Sequence, residues 1–409
     1  MKRPMLMRLA MTLLVFPGLF SQRGPGSVVA AQAGNEVPTF QPDPTWPPKL
    51  PHDWVTGVVS SVAVDQRDHV WILHRPRTVP ADKKPAPAVL EFDANGNFVA
   101  GWGGPSEAYE WPDSEHGIYV DDKDGVWIGG SSRPGAAVCG SRGPCTREDA
   151  MLLKFTPQGK FVMQIGKRDQ GKGSADTNNV HAATDVFVFK NTNELFVSDG
   201  YEGPGPQGNC RVAVFNAENG AFKRFWGAFG KTPPACDPNS PQRTRQAGAG
   251  GGGGNQRRAT PALDTEGPGP QTFGTVHGIE LSNDGLVYVC DREYRRIQIF
   301  DLNGKYINQV FINRAGPANS SAAGLAFSRD KDQRYMYVAD FGNSHVVIVD
   351  RKTLEVLSQF GERGAKPGDF QGLHNIAVDS KGTLYTAEVA PGARAQKFVY
   401  KGMSTPVRQ

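Results

Sequence analysis

His116-Gly-Ile-Tyr-Val-Asp121, His277-Gly-Ile-Glu-Leu-Ser282 and His374-Asn-Ile-Ala-Val-Asp379 are three copies of one pattern. Each alternates apolar and polar residues as a β-strand does, and each is followed by a turn and a second strand. Three further stretches share the pattern without the histidine: Ser60 begins one, Thr184 another and Ala323 the third. The six units therefore alternate His and non-His, so the three histidines sit a third of a turn apart if the units close into a ring. Three imidazoles converging on one axis make a metal site. Three protein ligands with an open fourth position is the pattern of catalytic zinc.

Reading outward, each unit continues into two more strands. Unit two runs on from HGIYVDDKDGVWIGG (116–130) to MLLKFTPQGKFVMQIG (151–166), and unit four reads HGIELSNDGLVYVCDREYRRIQIFDLNGKYINQVF (277–311). Repeats of four short strands imply an all-β fold, a six-bladed β-propeller. The last unit lacks an obvious fourth strand. The segment from Val37 to Pro51 is expected to supply it and close the ring, which removes the free sheet edges. The 49 glycines and 31 prolines in 409 residues fit a turn-rich protein of many short strands. The expected organisation is a signal peptide over 1–33, a closing segment over 34–54 and the propeller over 55–402. A flexible glycine-rich insertion is expected over 231–272.

Lys2, Arg3 and Arg8 precede the short apolar stretch Leu9–Phe20, and Ala31-Gln-Ala33 offers small residues for cleavage. This predicts a secretory signal cut after Ala33, and a secreted or periplasmic protein with no membrane contact once cut. Five cysteines are then free to oxidise. Cys139 and Cys145 flank a loop and are candidates to close it, Cys210 and Cys236 are candidates to pair, and Cys290 is left over. The net charge of +4 is small and scattered, with no basic stripe, so no nucleic acid is expected. A monomer is expected.

Other residues gain interest by position. Arg75 ends the second strand of unit one, Tyr201 follows Asp199-Gly200 in unit three, and Arg292 follows Asp291 in unit four. All lie where second strands run out into loops. An arginine binds a carboxylate bidentately, and a tyrosine beside a divalent cation has a stabilised phenolate suited to act as a base. The aspartates closing the second strands, Asp199, Asp291 and Asp340, read as holders of local turns. His52, His69, His74, His181 and His345 do not share the register and read as structural.

The repeats resemble the NHL propeller family, most closely in CDREYRRIQIFDLNGKYI (290–307). The ordered set of pieces resembles one family more specifically, the peptidyl-α-hydroxyglycine α-amidating lyases. Those pieces are Val55-Thr-Gly-Val58 with Leu73-His-Arg75, His116-Gly-Ile118, Thr184-Asp185, Val197-Ser-Asp-Gly-Tyr201, His277-Gly-Ile279, Asp291-Arg-Glu293 with Arg296-Ile-Gln298, and His374 before its strand. The likeness runs from about Val55 to Tyr400. It implies zinc held by His116, His277 and His374, an active-site tyrosine at Tyr201, and arginines at Arg75 and Arg292 for a substrate carboxylate. The implied reaction cleaves the N–Cα bond of a C-terminal α-hydroxyglycine, giving an amide and glyoxylate.

The chain departs from the family in places. Gly372 stands where the family has methionine, Glu202 where a cysteine follows the tyrosine, and of the cysteine pair around the Asp-Arg-Glu segment only Cys290 remains. Asn375 replaces the aspartate that helps bind a structural calcium, so zinc is the expected metal and calcium the weaker expectation. The competing expectation is a non-catalytic NHL propeller that binds a protein or carbohydrate partner. A calcium lactonase propeller would need Glu, Asn and Asp in the channel, and the histidines argue against it.

Overall fold

The computed structural model describes residues 36–134, 139, 145–200, 209–233, 266–316 and 320–405. The expected signal peptide, Tyr201, Glu202, Cys236 and most of the glycine-rich insertion lie outside the described residues. Among the described residues, six four-stranded antiparallel sheets account for nearly all regular structure, as the repeats imply. From the innermost strand outward, blade 1 is Val58–Val64, Val70–Arg75, Val89–Phe92 and Phe98–Trp102. Blade 2 begins with Glu115–Val120, blade 3 with Ala183–Phe189, blade 4 with Val276–Leu281 and blade 5 with Ala322–Phe327. Blade 6 is Leu373–Val378, Leu384–Glu388 and Arg394–Ser404, and its outermost strand is the N-terminal Val37–Asp43, paired antiparallel with Arg394–Ser404. The first and last described strands thus meet in one sheet, and Phe40 packs its ring against Tyr337 and Phe360 of blade 5.

Both faces of the blades pack against neighbours, so the inner strands are buried on both sides along most of their length. Apolar clusters fill each gap between blades. One joins Phe196 and Trp226 of blade 3 to Val287 and Phe300 of blade 4. Another joins Tyr385 and Ala387 of blade 6 to Val62, Leu90 and Phe92 of blade 1, and so closes the ring. Each such side chain contributes roughly 1.5–3 kcal/mol by leaving water.

The residue that ends the repeated motif makes the first turn. Asp121 Oδ1 accepts from the backbone N–H of Lys123 at 2.9 Å and Gly125 at 2.7 Å, and Asp379 Oδ1 accepts from Lys381 and Thr383 at 2.9 and 2.8 Å. Of the second-strand aspartates expected to hold local turns, Asp340 does so, its Oδ1 accepting from Asn343 N at 3.2 Å, whereas Asp199 and Asp291 hold buried arginines instead. Asp199 holds Arg211 Nε at 2.7 Å, and Asp291 holds Arg296 Nε at 2.9 Å, all four side chains sealed from solvent. Cys139 and Cys145 form a disulfide, Cys210 is also disulfide-bonded, and Cys290 is a free buried thiol. Among the described residues, no helix is long and apolar enough to cross a membrane.

Candidate metal centre

A regular strand cannot aim a side chain into the channel of a propeller. Its side chains point to the two faces of the sheet, and both faces are covered by adjacent blades. Every innermost strand of this ring breaks that rule at one place. In blade 4 Val276 pairs with Asp291 and Gly278 with Cys290, so His277 is an extra residue with no partner across the ladder. The same slip falls at His374 in blade 6, between Glu115 and Ile118 in blade 2, and at Ser60, Thr184 and Ala323 in the other blades. These are β-bulges, which re-aim a side chain while the rest of the strand keeps its register.

The bulges bring the three histidines together. The ring centroids of His116, His277 and His374 lie 4.5–4.8 Å apart, and all three residues are buried. Their outer nitrogens are fixed by the next blade in each case. His116 Nδ1 bonds the Thr184 carbonyl at 2.7 Å, His277 Nδ1 the Ala323 carbonyl at 2.6 Å, and His374 Nδ1 the Ser60 carbonyl at 2.7 Å. A carbonyl only accepts, so each Nδ1 carries the proton and each Nε2 presents its lone pair toward the axis. The non-histidine units thus supply the clamps, through backbone oxygen rather than side chain. One ligand atom from each histidine lies within 4.8 Å of the others.

Burial keeps these rings neutral. It drives His116 and His277 well below the ordinary histidine range, reinforced at His116 by His374 and Arg75 and at His277 by Arg292. Burial also takes His374 down to about 3, helped by Arg292 and Arg75. Three neutral, oriented imidazoles are the donor set that zinc takes. The residues therefore fit a zinc ion.

The two arginines stand at this centre. Arg75 is buried and donates from Nε to the carbonyl of Glu115 at 2.8 Å, one residue before His116. Arg292 is buried, bonds Glu293 Oε1 through Nε and Nη2 at 3.1 and 3.0 Å, and places Nη1 3.1 Å from His277 Nε2. That last contact takes up the lone pair a metal would use, so metal binding at His277 requires the guanidinium to move off it. Phe341, one residue after Asp340, lies under Arg292 at 5.2 Å and beside the His374 ring at 6.4 Å. Sequence reading missed Phe341, although it occupies the same register position in blade 5 as Arg292 in blade 4.

Tyr201 itself lies outside the described residues. Gly200, just before it, accepts at its carbonyl from Val276 N at 3.1 Å, next to His277. Asn375 uses its side-chain oxygen to accept from Val62 N at 3.1 Å across the blade 6–blade 1 gap. Asp185 does the same for Ile279 N at 3.1 Å between blades 3 and 4. His74 is a satisfied core histidine: its Nδ1 accepts from Gly57 N at 3.1 Å and its Nε2 meets the Pro87 carbonyl at 2.9 Å.

The chain resembles two groups of known proteins. It is 23% identical over 387 residues to peptidyl-alpha-hydroxyglycine alpha-amidating lyase 1 of Drosophila melanogaster, an alignment covering 86% of this chain and 58% of that protein. It is 23% identical to human NHL repeat-containing protein 3, covering 88% of this chain and 84% of the relative. The mouse protein of the same name is 22% identical, with 91% and 87% covered. The chain thus spans little more than half the length of the fly lyase. No family model matches the sequence. Among solved structures, a streptogramin B lyase aligns with a TM-score of 0.48 at 9% identity, covering 91% of this chain and 100% of that one.

Proposed function

We propose that this NHL-type propeller is a zinc-dependent carbon–nitrogen lyase acting on N-acyl or peptidyl α-hydroxyglycine. One observation carries the reading: three buried neutral imidazoles on alternate blades, each clamped at Nδ1 by the next blade, with two arginines beside them. His116, His277 and His374 would hold the metal. A bound zinc ion would supply Lewis-acid polarisation of the substrate's hydroxyl or carboxylate oxygen.

The chain's own groups do the rest. Arg75 and Arg292 bind the substrate carboxylate, and a guanidinium fork suits that group's two oxygens. Arg292 offers its Nη1 to the carboxylate once the contact with His277 Nε2 is given up, while Glu293 keeps hold of its Nε and Nη2. Tyr201 is assigned, by resemblance, to take the hydroxyl proton as that carbon becomes the aldehyde of glyoxylate. The N–Cα electron pair leaves on nitrogen, which gains a proton and becomes the amide. The low water access of the buried centre favours these charge-based steps.

The Cys139–Cys145 disulfide fits an oxidising compartment, in keeping with a secreted or periplasmic protein cut after Ala33. The decisive experiment is metal content of the purified chain beside His116→Ala, His277→Ala and His374→Ala, followed by glyoxylate release from an N-acyl-α-hydroxyglycine. About one zinc per chain is expected, lost in each variant together with glyoxylate release. Absence of zinc in a folded wild-type chain sinks the lyase. The remaining reading is then a non-catalytic NHL propeller that binds a protein or carbohydrate partner.

A further inference from the structure

Arg75 and Arg292 hold the same place in their blades. The backbone N–H of Arg292 donates at 3.1 Å to the carbonyl of Thr275, two residues before His277, and Arg75 pairs with Val58, two residues before Ser60. Blades 1 and 4 are opposite each other in a ring of six, so the two guanidinium groups approach the centre from opposite sides. Burial first, and then both guanidinium charges, oppose a positive charge on His374.

Each arginine is gripped at Nε, but by different groups. The grip on Arg75 is the backbone carbonyl of Glu115 at 2.8 Å. The grip on Arg292 is a side chain: Glu293 Oε1 accepts from Nε at 3.1 Å and from Nη2 at 3.0 Å. A carbonyl leaves the charge of Arg75 as it is, whereas a carboxylate cancels that of Arg292. The Arg292 and Glu293 side chains are 3% and 0% exposed, so water screens neither charge. Nη1 stands 3.1 Å from His277 Nε2, so a cation on that nitrogen would meet the guanidinium at close range. The Phe341 ring supports the guanidinium face at 5.2 Å, and the Arg292 backbone is tied to Thr275 on one side and to Ser321 N at 3.0 Å on the other.

We propose that Glu293 is the positioning residue of this centre. It cancels the charge of Arg292, so that a divalent cation can share the site with a guanidinium. It also holds Nε and Nη2, so that Arg292 meets a ligand carboxylate through Nη1 rather than through its whole fork. The zinc lyase reading supplies the cation and the carboxylate, and the proposal rests on it for both. A carboxylate held this way is bound less tightly in the ground state than a full fork would bind it. Only binding that strengthens in the transition state speeds the chemical step, so the restraint costs the reaction nothing.

The test compares the full chain with Glu293→Gln, Arg292→Gln and the double variant. Zinc affinity is read by competition with a chelator, and carboxylate binding by calorimetric titration of the zinc-free chain with glycolate, an α-hydroxy acid. Glutamine keeps the shape of Glu293 and an accepting oxygen, and removes the charge. Glu293→Gln is expected to weaken zinc binding about tenfold and to tighten glycolate binding about fivefold. A residue that only held the packing would weaken both. The glycolate gain needs the guanidinium, so it should shrink to within about twofold in the Arg292→Gln background. Unchanged or stronger zinc binding in Glu293→Gln overturns the proposal, as does a glycolate gain that survives the loss of Arg292. A wild type that takes no zinc but passes the glycolate tests sinks the lyase and leaves Glu293 positioning a carboxylate site. A chain that takes zinc and binds no glycolate keeps the metal centre and overturns the role of Glu293.

Discussion

Zinc binding to this chain should release almost no protons in mild acid. An ordinary histidine with a pKa near 6.5 is about three-quarters protonated at pH 6, so three of them would give up about 2.3 protons to a metal. Here burial, with Arg292 and Arg75 beside it, takes His374 down to about 3, and it takes His116 and His277 well below the ordinary range. The sign is that of a depressed base: the rings stay neutral as pH falls through 6.5, so the metal displaces no proton from them. A zinc-bound water with a pKa near 7 adds only about a tenth of a proton at pH 6. Calorimetric titration in buffers of contrasting ionisation enthalpy counts the protons directly. The expected release at pH 6 is below about half a proton per zinc. Affinity follows the same logic: three ordinary histidines would lose roughly 10^4-fold between pH 7.5 and pH 5, and this site should lose less than about tenfold. Release of about two protons at pH 6 would refute the view that burial and the arginines hold the rings neutral.

Arg292→Ala should raise KM for a carboxylate-bearing substrate by about 100-fold, the scale of a lost charge-assisted contact. The same variant should strengthen zinc binding, because Nη1 no longer sits 3.1 Å from His277 Nε2; weaker zinc binding would contradict that competition. His74 is buried and held down to about 4 by desolvation. Its contribution to stability is therefore present above pH 6.5 and lost as pH falls toward 4, by roughly 3 kcal/mol. His74→Phe should flatten that part of an acid-denaturation curve. Phe40→Ala removes the ring that ties the N-terminal strand to blade 5 and should cost about 2–3 kcal/mol in urea unfolding. A loss within about 0.5 kcal/mol would mean that the closing strand contributes little to the ring.

The fold and the identity of the central residues were legible because both follow from repetition. A motif that recurs six times, with histidine in every second copy, needs only ring closure to converge. That closure is made by the N-terminal strand pairing in blade 6 and by the packing of blade 6 on blade 1. The turns that Asp121 and Asp379 make are local, with partners within four positions in the chain, while Asp199 and Asp291, expected to hold turns, reach arginines instead.

What the sequence could not give lies between blades. The bulge that turns each histidine off the face of its sheet is a one-residue slip in pairing, and it leaves no composition or spacing signal. The clamps on Nδ1 are backbone carbonyls of Thr184, Ala323 and Ser60, which any residue type would supply. Arg292 and Arg296 are four positions apart and of one type. Only packing decides that Arg296 is locked on Asp291 while Arg292 faces the histidines. Glu115 opens the innermost strand of blade 2 and Arg168 follows its outermost strand, 53 positions on in sequence, yet both line one cavity. Local order along one strand is written in the residues of that strand. The direction a side chain takes across a gap depends on two chains of contacts at once, and so it appears only in the folded ring.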